Sequence, residues 1–387
     1  MQNVVFLNSH PIQYFAPLYQ QMAKDTEIDL QVLYCSDETL KGATDKQFGV
    51  QVKWDIPLLE GYKHIFLKNA SWKPSIFNGF CGLLNWGVVG FLRKQPKSLV
   101  VVHGWAYATH VLTIIAAKLF GHTVCLRAET PLNQELQKNK WVTQLKHLYL
   151  RCLFLLIDYG LYIGKQNKLF YKHLGFNNQQ LVFTPYCVDN KRFSNIALTV
   201  SKSSARKKLQ LPTDKKIILF SGKYIDKKNP MHLLQAVQLL QRLDIFTVFV
   251  GDGELRTIME KFIANHRLEQ QVSFTGFINQ SLIPYYYAGA DVFVMCSGIG
   301  ETWGLSVNEA MNFGLPIVIS DTCGSAYDLV KDNGYVFSTG DITALADGIR
   351  KVLDASENVY LNMQQKSKAI IEGYSYEIVI ERLKQIA

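Results

Sequence analysis

Residues 300–316 read Gly300-Glu301-Thr302-Trp303-Gly304-Leu305-Ser306-Val307-Asn308-Glu309-Ala310-Met311-Asn312-Phe313-Gly314-Leu315-Pro316. The continuous apolar run Val292 to Cys296 just before it predicts a buried strand, and Ser306 to Phe313 within it predicts a helix. A strand that turns through glycines into a helix is the building unit of parallel sheets wrapped by helices. The backbone N–H groups around Gly304 to Val307 then point out of a helix N-terminus, where first-turn donors are unpaired and the helix dipole favours negative charge. A phosphate is the natural occupant. Ser306 followed three residues later by Glu309 also reads as a capping box, which would satisfy those donors inside the helix. Glu301 precedes the turn, where no capping rule asks for a carboxylate.

Upstream, Phe220-Ser221-Gly222-Lys223-Tyr224-Ile225-Asp226-Lys227-Lys228-Asn229-Pro230 follows the run Lys216 to Ser221. It places Lys223 and Lys228 around a turn at the carboxyl end of a strand, where open α/β sheets bind ligands and an ammonium serves as a phosphate counter-charge. Val250-Gly251-Asp252-Gly253 closes another strand with Gly-x-Gly but lacks the third glycine of the dinucleotide fingerprint. No such fingerprint follows the first strand either, which disfavours NAD or FAD.

Around these stretches, short β-rich runs alternate with helical patterns almost throughout. In the first half the runs are Val4 to Leu7, Leu30 to Tyr34, Leu99 to Val102, Thr123 to Leu126, Gly160 to Ile163 and Leu181 to Thr184, with helices at Ala108 to Phe120 and Trp141 to Leu156. From about 215 the alternation restarts, with Thr247 to Val250, Val272 to Thr275 and Pro316 to Ser320 completing the second set of strands. The expected architecture is α/β: two Rossmann-like, doubly wound parallel-sheet domains in tandem, with the active site in the cleft between them. The domains are read as 1–190 and 215–370, joined by a polar linker at 191–214. A closing segment, 371–387, carries a helix at roughly Tyr376 to Ile386 that can pack back on the first domain.

Composition narrows the function classes. The chain has 387 residues, 48% of them apolar, which excludes a disordered or single small-module protein. Its formal charge is +9 without long basic blocks, which argues against a nucleic-acid arm. Residues 1–190 hold 19 basic and 12 acidic side chains against 22 and 20 in the rest, so the first half is the one expected to meet an anion. Seven cysteines, none closer than 27 residues to the next, leave no zinc or redox spacing and fit a reducing cytosol. The N-terminus lacks a signal peptide's basic region and apolar core, and the most apolar stretch, Phe77 to Leu92, is broken by Asn78 and Asn85. A cytoplasmic protein, soluble or peripheral on the inner face of the membrane, is expected.

Taken together, Gly222-Lys223…Lys228-Asn229-Pro230, Val250-Gly251-Asp252-Gly253, Gly276-Phe277 and Glu301…Glu309-Ala310…Gly314-Leu315-Pro316, in this order and at these intervals, closely resemble the donor domain of retaining glycosyltransferases of family 4, the glycosyl transferases group 1 with the GT-B fold. The resemblance is specific over about 216 to 335 and weaker in the first half. It implies that the first domain binds the acceptor and the second a nucleotide-sugar donor. It further implies that Lys223 and Lys228 neutralise the donor diphosphate, that Glu309 holds the ribose hydroxyls and that Glu301 binds the transferred sugar. By the same resemblance Gly304, Leu305 and Ser306 cap the distal phosphate through backbone, Phe277 and Ile278 meet the base through backbone, and Gly222, Gly251, Gly253 and Trp303 complete the donor-binding set.

In the first half, Asn8-Ser9-His10-Pro11-Ile12-Gln13-Tyr14-Phe15 follows the first strand and is expected to line the cleft. Family members commonly carry a glycine pair in this loop, which this chain lacks. His10, Gln13 and Tyr14 are acceptor-side candidates, with a plain turn as the other reading. His103 ends the run Leu99 to Val102 and matches a histidine placed near the transferred sugar; the other reading is a histidine packed at a strand end. His110 has no partner spacing for a metal and falls on a helix. Arg127 and Glu129, after the next strand, are either acceptor-side groups or a mutual ion pair. In Lys138 to Arg151, the residues Trp141, Leu145, Leu148 and Cys152 form one stripe beside basic residues. Such a helix can lie on an anionic membrane, although a stripe of this kind more often faces a domain core.

The expectation is therefore a metal-independent, retaining enzyme without a cofactor, using Glu301 and His103 catalytically. It would take a nucleoside diphosphate sugar, with a UDP-sugar favoured, and a glycan or lipid-linked acceptor, in cell-envelope polysaccharide, glycolipid or related glycoconjugate synthesis. No nucleic-acid partner is expected. A nucleotide-sugar epimerase of similar fold and a non-catalytic nucleotide-sugar-binding subunit of a glycosylation complex are the competing readings.

Overall fold

The computed structural model describes residues 1–41, 44–45, 50–51 and 55–386; Ala387, the last residue of the expected closing segment, lies outside them. The described residues fall into two compact units, one built from 1–41, 56–185 and 376–386, the other from 186–375 with 44–45, 50–51 and 55.

In the first unit seven strands run in the order His64–Phe66, Ile28–Tyr34, Gln2–Asn8, Leu99–His103, Thr123–Arg127, Tyr159–Tyr162, Leu181–Phe183. All are parallel, with Val4 opposite Leu30 on one side and Leu99 on the other. The central strands are β-branched and leucine-rich because both faces are covered, and Val4, Leu7, Val100, Val101 and Val102 are fully buried. Progression through the sheet reverses between Gln2–Asn8 and Leu99–His103, so the loops leaving these two strands splay apart into a crevice.

The second unit repeats the plan with six parallel strands, ordered Val272–Phe274, Ile245–Val250, Lys216–Ser221, Val292–Met295, Ile317–Ser320, Gly334–Phe337. Here the reversal falls between Lys216–Ser221 and Val292–Met295, the two strands that feed the sequence motifs. His64–Phe66 and Gly334–Phe337, both at sheet edges, are additional to the strands expected from sequence.

Residues 191–214, read as a linker, form structure of the second unit. Asp189 caps the helix Asn190–Thr199 through Arg192 N–H, and Ser201 caps Lys202–Leu209 through Ser204 N–H. Arg206, 6% exposed, donates to the Asp291 carboxylate at 2.6 Å and to the Gly289 carbonyl at 2.8 Å, fastening this helix to the unit. The helix Tyr376–Lys384 belongs to the first unit: Tyr376 donates to the Tyr14 carbonyl at 2.9 Å, Gln21 donates to Glu377 at 2.9 Å, and Lys384 pairs with Asp25 at 3.2 Å. The apolar stretch 77–92 breaks into a short 3-10 turn, Phe80–Gly82, and the helix that starts at Gly87. Among the described residues no helix is long and apolar enough to cross a membrane.

Candidate functional site

In the second unit the loops from Ser221 and Met295 meet at the point where the strand order reverses. The Gly298 N–H donates to the Lys227 carbonyl at 2.8 Å, and the Asn229 side chain donates to the Cys296 carbonyl at 3.0 Å. Asn229 sits in the left-handed region at φ 46° and starts the helix Pro230–Leu240, with the proline in the first turn where its missing N–H costs nothing. This contact brings Lys228 against the second loop, where its ammonium forms an ion pair with the Glu301 carboxylate. The stem of Lys228 passes beside Gly222, whose added Cβ would lie 3.7 Å from it. Lys227, on the same turn, runs its stem along Gly300.

Glu301 is 9% exposed. Burial pushes its carboxyl upward, but the Lys228 charge and hydrogen bond, helped by Lys227, hold it below the usual carboxylate range. Burial lowers Lys227, and the like charges of Lys228 and Lys223 lower it further against the pull of Glu301. Lys228 and Lys227 therefore both act on one buried carboxylate, and the charge of Lys223 reaches Lys227, leaving a local excess of positive charge.

The helix Leu305–Asn312 opens beside this cluster. Gly304 is its N-cap at φ 93° and contributes no capping side chain. The capping box read from Ser306 and Glu309 does not form: the helix starts one residue before Ser306, and Glu309 accepts from the Tyr287 hydroxyl at 2.7 Å instead. Glu309 is 3% exposed. A Cβ on Gly304 would approach Met295 Sδ to 2.5 Å and Cys323 Sγ to 3.2 Å, so the turn packs tightly on the sheet end; Val307 N–H turns back to the Gly304 carbonyl at 2.9 Å, and no side chain caps the first-turn donors.

Of the expected donor set, Trp303, Gly251 and Gly253 also build the scaffold. Trp303 is 1% exposed, donates to the Asn308 side chain at 2.9 Å and lies 5.7 Å from the Tyr374 ring; its buried indole packs the turn from behind. Gly251 and Gly253 pack under the loop of Gly222 to Tyr224: a Cβ on Gly251 would collide with the Gly222 carbonyl and one on Gly253 with the Tyr224 carbonyl at 2.6 Å. Their small size lets the Lys223 loop descend, sealed by the Tyr224 N–H on Asp252 at 2.9 Å. Phe277 and Ile278 follow Gly276, which accepts from Gly251, and both are half-buried. Asn229 and Tyr287 position Lys228 and Glu309 and were not singled out in the sequence; only the Asn-Pro at the start of a helix marked the first of them.

The first unit carries its own cleft of about 340 Å³, lined by Ser9, Phe15, His103, Arg127 and Glu129 among others, at the reversal of its strand order. His103 packs edge-on to Phe15 at 4.5 Å, and its Nε2 is buried with no hydrogen-bond partner among the described residues. Burial, then the charge of Arg127 and the nearby His110, hold it well below the usual imidazole range, so it is neutral. Arg127, 4% exposed, donates to the Thr184 carbonyl and hydroxyl at 3.1 and 3.2 Å and lies 5.5 Å over the Phe15 ring, tying the ends of two strands together. His10, Gln13 and Tyr14 do not line this cleft: His10 bonds Ser9 Oγ at 2.9 Å, Gln13 is buried, and the Tyr14 carbonyl accepts from Tyr376.

Comparison with known proteins follows the same division. Residues 201–370 match the family described as Glycosyl transferases group 1. An uncharacterized glycosyltransferase of Methanocaldococcus jannaschii is 29% identical over 180 residues, 46% of this chain and 45% of the relative. The lipopolysaccharide core biosynthesis glycosyltransferase LpsE of Rhizobium meliloti is 25% identical over 183 residues, 47% of this chain and 52% of that protein. The match thus spans about half the length of the curated relatives. Among solved structures, Anabaena HepE in complex with UDP superposes with a TM-score of 0.74 at 15% identity, covering 100% of this chain and 99% of that one. The chain accordingly has the GT-B fold, and its second unit carries the region similar to glycosyl transferases group 1.

Proposed function

We propose that the protein is a glycosyltransferase of the retaining, family 4 type that moves a sugar from a nucleoside diphosphate sugar to an acceptor hydroxyl without a metal ion. The observation that carries this reading is the ion pair of Lys228 with the buried Glu301, with Lys227 close by, beside the N-terminus at Gly304 that no side chain caps. Departure of a nucleoside diphosphate builds negative charge on the distal phosphate, and preorganised cations with aligned backbone amides stabilise that charge without reorganisation. In this reading the diphosphate displaces Glu301 from Lys228, and the released carboxylate accepts hydrogen bonds from the hydroxyls of the transferred sugar. Glu309, held by Tyr287, accepts from the ribose hydroxyls, and the backbone at Phe277 and Ile278 meets the base. His103, neutral in its cleft, bonds a sugar hydroxyl through Nε2, and Arg127 and Glu129 face the acceptor. The leaving phosphate takes the acceptor proton as the new glycosidic bond forms on the face the diphosphate vacates. The UDP held by the HepE structure supports a UDP-sugar as donor. The role of LpsE in lipopolysaccharide core biosynthesis supports an envelope glycan or lipid-linked acceptor. Seven cysteines, with no disulfide among the described residues, support a cytoplasmic setting.

The test screens wild type and Glu301→Ala against UDP-, GDP-, ADP- and dTDP-sugars in chelator, reading released nucleoside diphosphate and donor binding by calorimetry. Slow release from one donor by wild type, reduced about a hundredfold or more in the variant, is expected. Failure to bind any nucleotide sugar refutes the reading.

A further inference from the structure

The helix Lys140–Phe154 turns the unexpected face to solvent. Its buried residues are Thr143, His147, Leu150, Leu153 and Phe154. The stripe of Trp141, Leu145 and Leu148 is 79%, 71% and 63% exposed, Cys152 is exposed on the same line, and Leu155 continues it at 83%. Four large apolar side chains and a cysteine on one line, wet in an isolated chain, make a patch of the kind that marks an interaction surface.

The charge around the stripe selects the partner. No Asp or Glu occurs from Leu136 to Ile157. At 100° per residue Lys140 and Arg151 stand together on one flank of the stripe, and both are exposed. Lys138 and Lys146 are engaged below it by the buried Glu135 carboxylate, at 2.8 and 2.6 Å. A second patch repeats the pattern. The loop before the helix that starts at Gly87 exposes Trp72 by 93%, Phe77 by 64% and Trp86 by 59%, with Lys73 exposed in the loop and Arg93 and Lys94 exposed in the last turn of that helix. Both patches flank the segment 105–107: Tyr107 donates to the Ile76 carbonyl at 2.7 Å, and Lys146 lies 5.9 Å over the Trp105 ring.

We infer that this face of the first unit docks on an anionic lipid bilayer, with the stripe of Lys140–Phe154 as its principal contact and the Trp72 loop as a second. Interfacial tryptophans, leucines at the acyl boundary and flanking cations are the combination such a surface takes. A second copy of the chain fits poorly, because a two-fold contact would set Lys140 and Arg151 against their own images with no carboxylate on the patch. The inference stands on the first unit alone and does not depend on the proposed reaction.

The test is cosedimentation of the full chain with vesicles of phosphatidylcholine containing about one third phosphatidylglycerol, compared with phosphatidylcholine alone, for wild type and Leu145→Glu/Leu148→Glu. Both positions are exposed, so the variant should keep the wild-type circular dichroism spectrum and melting temperature. The expected result is binding to the anionic vesicles that weakens as salt is raised, with an affinity at least tenfold lower in the variant. A Trp72→Ser/Phe77→Ser variant that remains folded should lose several-fold. Absence of binding to anionic vesicles, equal binding by the Glu variant, or self-association of wild type abolished by the same substitutions overturns it.

Discussion

Replacing Gly304 by alanine tests the geometry of the anion turn directly. Gly304 has φ 93°, a conformation that costs an L-residue roughly 1–2 kcal/mol, less about 0.4–1 kcal/mol recovered from the stiffer unfolded chain. The added Cβ also meets Met295 Sδ at 2.5 Å and Cys323 Sγ at 3.2 Å. Met295 and Cys323 are 3% and 1% exposed, so neither sulfur has room to retreat, and overpacking of this kind costs about 1–3 kcal/mol. Gly340 supplies the control: its φ is 92°, and its Cβ would meet nothing within 4 Å. Gly340→Ala should therefore cost about 1 kcal/mol and Gly304→Ala about 2–4 kcal/mol, read as urea-midpoint shifts by circular dichroism with the slope unchanged. Calorimetry with a nucleoside diphosphate should show weaker binding in Gly304→Ala alone, because only there do the first-turn amides move. Equal destabilisation by the two substitutions, or intact ligand affinity in a destabilised Gly304→Ala, would refute the packing of this turn and its role.

His110 is 2% exposed, and burial lowers its imidazole from an ordinary 6.5 to about 4 against a small opposing effect of the Gly104 backbone. The folded group binds its proton later than the unfolded one, so the stability conferred by the neutral ring is full above pH 6.5 and is lost as pH falls toward 4. The difference amounts to about 3 kcal/mol, and His110→Leu should flatten that part of the denaturation-against-pH curve; an unchanged slope between those limits would sink the assignment. Tyr287→Phe removes the hydroxyl that donates to Glu309 at 2.7 Å and should cost about 1–3 kcal/mol, with nucleoside diphosphate affinity falling more than nucleobase affinity. A variant as stable and as tight as wild type shows that Glu309 needs no such support.

Most of the strands that the sequence revealed are covered on both faces, since that burial writes an uninterrupted apolar run such as Val292–Met295. His64–Phe66 escaped because it is three residues long with Ile65 39% exposed, and Gly334–Phe337 because an edge strand opening with glycine reads as a turn. Polar composition at 191–214 suggested a connection, whereas the caps Asp189 and Ser201 and the Arg206–Asp291 pair make it helical; a partner 85 residues away leaves no local trace. At the candidate site, lysines and carboxylates at the carboxyl ends of strands were legible because the fold fixes where those ends lie. The capping box was misleading for a steric reason: the glycine at positive φ, two residues before Ser306, ends the loop earlier than side-chain chemistry suggests. For Lys140–Phe154 periodicity found the stripe but not its direction, since Leu150, Leu153 and Phe154 offer an equally apolar opposite face and only tertiary packing chooses between them.

The helix Tyr376–Lys384 closes the first unit with residues that follow every strand of both units. During synthesis the strands of the second sheet are complete once residue 337 has emerged, and the helix Ile342–Leu353 that covers them follows directly. The first unit, although its strands appear earlier, waits for Val379, Ile380 and Leu383 to cover its surface. The unit begun first is completed after the other, and for that interval the nascent chain presents an apolar gap in its first unit. A fragment ended at residue 185 keeps that gap permanently, so separating the halves calls for a rearranged chain in which 376–386 is grafted to the first unit.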